Sequence, residues 1–286
     1  MSASGAGPAA GMGRPIRGPS ALGVAPRRFL HLTMTLALTD FKLKFFGSVL
    51  GYFWQLMRPL LLFGVLYVVF TQLVRLGDDV RFYPVLLLLN IVIYTYFAEA
   101  TGSAVTAVVD RENLVRKIEF PRLAIPLAVV VVATLNLLLN LIAVFVFAVA
   151  SGVEPRWSWL QLPLLLVGVG VLSTGIATIL SALYVRARDV KPVWDVLLQV
   201  FFYGSPILYV VEKIPEEAYR EALMFSPLAA VMQQARHAVI DPQAAGAAAA
   251  AGGWSRLLVP VGLTVALFAF GLWLYNREAP RIAEEL

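Results

Sequence analysis

Few side chains in this chain could do chemistry, and they fall into a handful of clusters. Glu99, in IYTYFAEATG, is the only carboxylate well inside an apolar run. An acid at membrane depth faces protein or water and marks function by default. Two roles are open for it: contact with hydroxyls of a passing solute, or a hydrogen bond to a neighbouring helix. Arg186, Arg188, Asp189 and Lys191 form a charged knot, RARDVK, directly before another apolar run. His31 and His237 are too few and too far apart in sequence to suggest a metal centre, and the absence of cysteine excludes disulfides and thiolate metal sites. A phosphate-cradling loop needs a Gly-Lys pair followed by Ser or Thr, and the sequence contains no Gly-Lys. The glycines of GVGVLSTG (Gly168, Gly170, Gly175) miss the dinucleotide-binding spacing. They read as close helix packing, with Ser173, Ala177 and Ser181 following at four-residue steps. Neither a Ser/His/Asp set nor a pair of carboxylates is visible, so no catalytic, metal or cofactor site is expected in this chain.

The elements that carry these residues follow from composition. Hydrophobic residues make up 59% of the 286 and charged ones 14%, against about half and about a quarter in soluble domains. The chain reads as an all-α integral membrane protein. Its net charge of +5 records topology rather than an affinity for nucleic acid. Residues 1–26, rich in Gly, Pro, Ala and Ser, read as a flexible cytoplasmic tail without the apolar core of a signal peptide. Residues 27–57 mix apolar residues at helical spacing with Asp40, Lys42 and Lys44, as in an amphipathic helix lying in the interface with Tyr52 and Trp54 at headgroup depth. Six spans are expected near 58–76, 83–109, 123–150, 160–185, 193–211 and 257–275, each long enough for a hydrocarbon core of about 30 Å. With the N-terminus inside, 16 of the 23 cations fall on the cytoplasmic side. Both termini are therefore expected there.

The polar connections carry further signals. Between the fifth and sixth spans, residues 212–242 hold two helix starts: Pro215 followed by two glutamates, and Ser226-Pro227. Two short outer helices, dipping back towards the membrane, fit better than a loop. Residues 243–253, QAAGAAAAAGG, read as a low-complexity linker. DRENLVRKIEFPR, between the second and third spans, suits a short rigid helix in contact with a cytoplasmic partner. It equally satisfies the positive-inside rule as a solvated loop. Gly204 and Pro206 remove a side chain and a backbone donor, permitting a kink with or without a gating role. Tyr94, Tyr96, Phe97, Phe201, Phe202 and Tyr203 could line a path for sugars, whose C–H faces pack on aromatic rings, or face lipid. Asn90, Asn136 and Asn140 read as interhelical hydrogen-bond partners.

Three blocks, TDFKLKFFGSVLGYFWQLMRPLL, NLVRKIEFPR and RDVKPVWDVLLQVFFYGSPILY, resemble in order the membrane subunit of ABC-2 type exporters. The resemblance is to the branch that exports O-antigen, teichoic acid and capsule-like polysaccharides, and it covers residues 27–275. It implies a type V exporter-like fold over 27–286: an N-terminal interface helix, a cytoplasmic coupling helix, six spans and outer re-entrant helices. By block, Arg27–Leu50 resembles the interface helix. Asn113, Leu114, Val115, Arg116, Lys117, Ile118, Glu119, Phe120, Pro121 and Arg122 resemble the coupling helix seated on an ATPase, and Phe225–Asp241 resembles the outer re-entrant segment. The implied partners are a second copy of this chain, two ATP-binding subunits that carry ATP and Mg, a lipid-linked polysaccharide, and the bilayer of the cytoplasmic (inner) membrane. An exporter of a drug or a lipid, an ion-driven secondary carrier and a passive scaffold for glycan synthesis remain as alternatives.

Overall fold

The computed structural model describes residues 26–45, 49–75, 79–115 and 120–285. The expected tail and four expected coupling residues, Arg116, Lys117, Ile118 and Glu119, lie outside the described residues. All regular structure among the described residues is helical: α1 Pro26–Phe45, α2 Val49–Tyr67, α3 Tyr83–Ala107, α4 Glu112–Val115, α5 Ala124–Ala150, α6 Gln161–Arg186, α7 Val190–Gly204, α8 Glu217–Leu223, α9 Pro227–Ala235, α10 Ala247–Ala250 and α11 Leu258–Glu285. Wider π turns prolong α2 over Val68–Leu73 and α9 over Arg236–Ile240.

Among the described residues, five helical stretches are long and apolar enough to cross a membrane: Phe53–Leu73, Tyr83–Ala107, Ala124–Ala150, Trp157–Arg186 and Trp254–Pro280. The chain is therefore a multi-pass membrane protein. Three expected boundaries shift. The interface helix ends at Phe45 instead of 57, and the first span starts at Phe53, so Trp54 belongs to that span. Charge accounts for the division: Asp40, Lys42 and Lys44 all sit in α1, whereas Arg58 is the only ionic residue from Val49 to Val74. The last helix runs on to Glu285 rather than stopping near 275.

The third shift concerns the span expected at 193–211. Helix α7 has only 15 residues, about 22 Å at 1.5 Å per residue, too short by itself for the hydrocarbon core. Its helix stops at Gly204, and the expected kink is a terminus. Ser205 turns extended and donates its N–H to the Phe201 carbonyl. Pro206 has no N–H to continue the ladder. Non-helical backbone at membrane depth must be covered by protein, and Ser205, Pro206, Ile207 and Leu208 are all buried. Their carbonyls are met from α3: Asn90 Nδ2 donates to Pro206 O at 2.9 Å and Tyr83 Oη to Leu208 O at 2.7 Å.

Helix α3 is the centre of the bundle, with 78% of its apolar stretch buried. It packs against α2, α5, α6 and α7. Helix α6 touches it through small residues: Ser173, Ala177 and Ser181 are all buried, and Ser181 Oγ donates to Ala104 O at 2.6 Å. On another face α6 meets α11 backbone to backbone. A Cβ on Gly175 would lie 2.7 Å from the Phe268 backbone, and one on Gly271 would collide with the Gly175 carbonyl and Thr178 Oγ1. Gly175 thus has the expected packing role, whereas Gly168 has open space around it. Helix α5 ends in a left-handed glycine stop, with Gly152 at φ +87° and Val153 N–H returning to Ala148 O.

Candidate functional site

The basic end of the bundle is held together by ion pairs that sequence spacing does not reveal. Asp40 on α1 accepts from Arg111 Nη2 at 2.5 Å. Burial pushes the Asp40 carboxyl up from its ordinary value, and the adjacent guanidinium opposes that. One turn further along α1, Lys44 Nζ lies 2.7 Å from Glu99 Oε1, the same oxygen that accepts from Asn136 Nδ2 on α5 at 2.7 Å. Glu99 therefore makes the hydrogen bond between helices. It stands eight residues before the end of α3, about 12 Å from the basic end. Lys42 is exposed. Arg111 immediately precedes α4, so the ion pair with Asp40 joins the interface helix to the start of the expected coupling segment. Within that segment Asn113 is exposed, Leu114 half-buried and Val115 buried.

The far side of the segment is anchored as well. Phe120 is half-buried and Pro121 buried. Arg122 is buried too, and its Nη1 donates to Ala279 O on α11 at 2.5 Å. Tyr275, fully buried on the same helix, donates back to Arg122 O at 3.0 Å. Arg186 at the end of α6 pairs with Glu278 at 2.5 Å. The sequence gives no warning of this cluster, because an aromatic residue near the end of a span reads as an interfacial anchor.

The six aromatic residues expected near a transport path separate into two groups. Tyr94, Tyr96 and Phe97 are buried within the chain. Tyr94 Oη donates to Leu198 O, and its ring meets Phe202 edge-on at 5.1 Å. Phe97 packs against Trp194 and Phe201, and Tyr96 Oη is 3.1 Å from Thr134 Oγ1. Phe201 and Tyr203, by contrast, are exposed, at 39% and 69%. With Val193, Val196, Leu197 and Val200 they form an open apolar stripe down α7. Asn90 makes the contact between segments expected of it, while Asn140 donates to Asn136 O in its own helix.

At the opposite end of the bundle lie two short helices, α8 and α9, with Pro227 in the first turn of α9. Ser226 makes no side-chain cap. Glu212 pairs with Arg236 at 2.6 Å and accepts from Gln233. Burial pushes the Glu212 carboxyl up, but Arg236, the residue's own backbone N–H and Gln233 together bring it below its ordinary value. The expected linker is partly ordered: Ala247 in α10 and Ala251 just after it are buried, and Ala247 N–H donates to Gln234 Oε1 on α9. Trp159 Nε1 and Ser158 Oγ fasten the start of the α6 span to the carbonyls of Val239 and Ala238.

Helical spans, a charged helix beside them and a short helical connection at the basic end define a multi-pass membrane protein. The pattern of the ABC-2 type transporter family matches residues 31–240, nearly three-quarters of the chain, and this protein belongs to that family. It is 27% identical over 206 residues to the O-antigen export system permease protein RfbA of Myxococcus xanthus, covering 72% of this chain and 78% of that one. It is 28% identical over 202 residues to the protein of the same name from Klebsiella pneumoniae, covering 70% and 77%. A third relative, the polysialic acid transport protein KpsM of Escherichia coli, is 25% identical over 211 residues, covering 72% and 80%.

Proposed function

We propose that this protein is the membrane-spanning subunit of an ATP-driven exporter that moves a lipid-linked polysaccharide, such as O-antigen, across the cytoplasmic membrane. The observation that carries this reading is the family match over 31–240, together with relatives named for export of O-antigen and transport of polysialic acid. Two copies of the chain form the conduit, and two separate ATP-binding subunits, carrying ATP and Mg, drive it from the cytoplasmic side. Both termini, α1 and the coupling segment 113–122 lie on that side; the excess of cations there supports this.

In this mechanism the partner subunits close on ATP and push on the coupling segment. The Asp40–Arg111 and Lys44–Glu99 pairs make α1 and the basic end of α3 follow as one body. The conduit wall between the two copies is the open stripe on α7, where Phe201 and Tyr203 give a sugar chain flat apolar faces without gripping any one hydroxyl. Deleting the gene in its host tests the reading. The surface should lose its polysaccharide while lipid-linked polymer accumulates inside, and a copy in trans should restore export. Unchanged surface glycan in the deletion strain would refute it. Charge reversal of Arg116 and Lys117 should abolish stimulation of the partner's ATPase if the coupling assignment is right.

A further inference from the structure

Helix α11 is attached to the rest of the chain along one side: 11% of its apolar stretch is buried, against 78% for α3. The buried positions Pro260, Gly271, Tyr275, Glu278 and Ala279 share one face with the half-buried Thr264, Leu267, Phe268, Leu272 and Leu274, the face turned to α6. A helix held along one face is positioned by what grips that face. Three grips are visible. At the basic end Tyr275 Oη donates to Arg122 O, and Arg122 Nη1 donates to Ala279 O on α11. At mid-depth Gly271 lies against the Gly175 carbonyl so closely that no Cβ fits between them. At the other end Arg256 pairs with Glu221 on α8, across Gly252, where a Cβ would again collide with Glu221.

The first of these grips sits where the coupling segment ends, since Arg122 follows Pro121 directly. The last one holds the outer helices. Helix α11 has 28 residues, about 42 Å, and a continuous helix of that length transmits displacement along its axis. The second route between the two ends, α6, is tied to α11 at both the Gly175 crossing and the Arg186–Glu278 pair. The two helices therefore move as one.

We propose that the Arg122–Tyr275 contact is the joint through which movement of the coupling segment enters the α6–α11 pair, which carries it to the outer helices α8 and α9. Arg122 and Tyr275 are positioning residues in this scheme and touch neither cargo nor nucleotide. The proposal rests on the coupling segment being the point of contact with the ATPase, but the joint can be tested without that partner.

The test is hydrogen–deuterium exchange of the purified chain in lipid nanodiscs, comparing the wild type with Tyr275→Phe and Arg122→Gln. Tyr275→Phe removes one hydroxyl and keeps the ring, so it folds even if Arg122→Gln does not. With the joint broken, amides of residues 217–240, at the opposite end of the bundle, should exchange about fivefold faster. Amides of α3 should be unchanged. A merely local structural role would confine faster exchange to residues 120–125 and 270–285, and that result would overturn the proposal. Failure of the coupling assignment has a separate signature: Arg116 and Lys117 reversals would leave the partner's ATPase unaltered while the long-range exchange effect persisted.

Discussion

The aromatic trios Tyr94–Tyr96–Phe97 on α3 and Phe201–Phe202–Tyr203 on α7 are nearly identical in composition and opposite in surroundings. The first is walled in by α5, α6 and α7 and spends its hydroxyls on Leu198 and Thr134. The second belongs to a short helix that leans on α3 through Trp194, Leu198 and Phe202 and leaves its other side bare. Aromatic content alone therefore says nothing about lining a path; the number of neighbouring helices decides it. Helix α3 is the buried centre of the bundle, and α7 keeps one open apolar face.

The sharpest way to break this comparison is to truncate one ring from each trio. Phe97→Ala should cost about 3–5 kcal/mol of stability, read as a large drop in thermal unfolding temperature in detergent. Tyr203→Ala should stay within about 0.5 kcal/mol while reducing export. Equal losses of stability would show that the two trios do not differ as described. A smaller effect is expected at the support α3 gives to the end of α7. Asn90→Leu strands the buried Pro206 carbonyl and should cost about 1–3 kcal/mol, with faster proteolysis after Gly204. Smaller again is Glu99→Gln. The amide oxygen still accepts from Asn136, and losing the partly exposed Lys44 pair should cost about 0.5–1 kcal/mol. Its signature is release of α1, seen as increased exchange over 30–45 without change in α3.

The smallest effect concerns pH. Glu212 is held below its ordinary carboxyl value in the folded chain, so its contribution is present at neutral pH and is lost as pH falls through that lowered value. The outer helices should thus loosen only below the ordinary carboxylate range. In Arg236→Gln burial acts without its counter-charge, the carboxyl is no longer held as low, and the acid-induced loosening should shrink. Exchange of residues 227–240 measured against pH distinguishes the two.

Much of this architecture is legible in the sequence because its signals are local. Apolar runs mark the spans, and Pro215-Glu216-Glu217 and Ser226-Pro227 mark α8 and α9. What is not legible depends on distant partners. Gly204 and Pro206 give the same local signal for a kink and for a stop; Asn90 and Tyr83, more than a hundred residues earlier, provide the bonds that make it a stop. Residues 247–250 look like a linker because alanine and glycine carry no pattern, and only the contact with Gln234 reveals a packed helix. Glu99 and Asn136 stand out as polar residues in apolar runs, but their bond to each other, and Lys44 as a third member, follow from how α1 and α5 are laid against α3. Arg122 reads as the last residue of the coupling segment, and its bonds to α11 appear only when Tyr275 and Ala279 are placed beside it.

The claim on which the functional account depends is that this chain is a conduit wall driven by another subunit. The direct measurement is transport into sealed proteoliposomes, with the chain alone and with its ATP-binding subunit, using lipid-linked polysaccharide as cargo. The account predicts translocation only when the second subunit, Mg and ATP are all present, and none from this chain by itself. Accumulation of cargo against a gradient by the chain alone would contradict it.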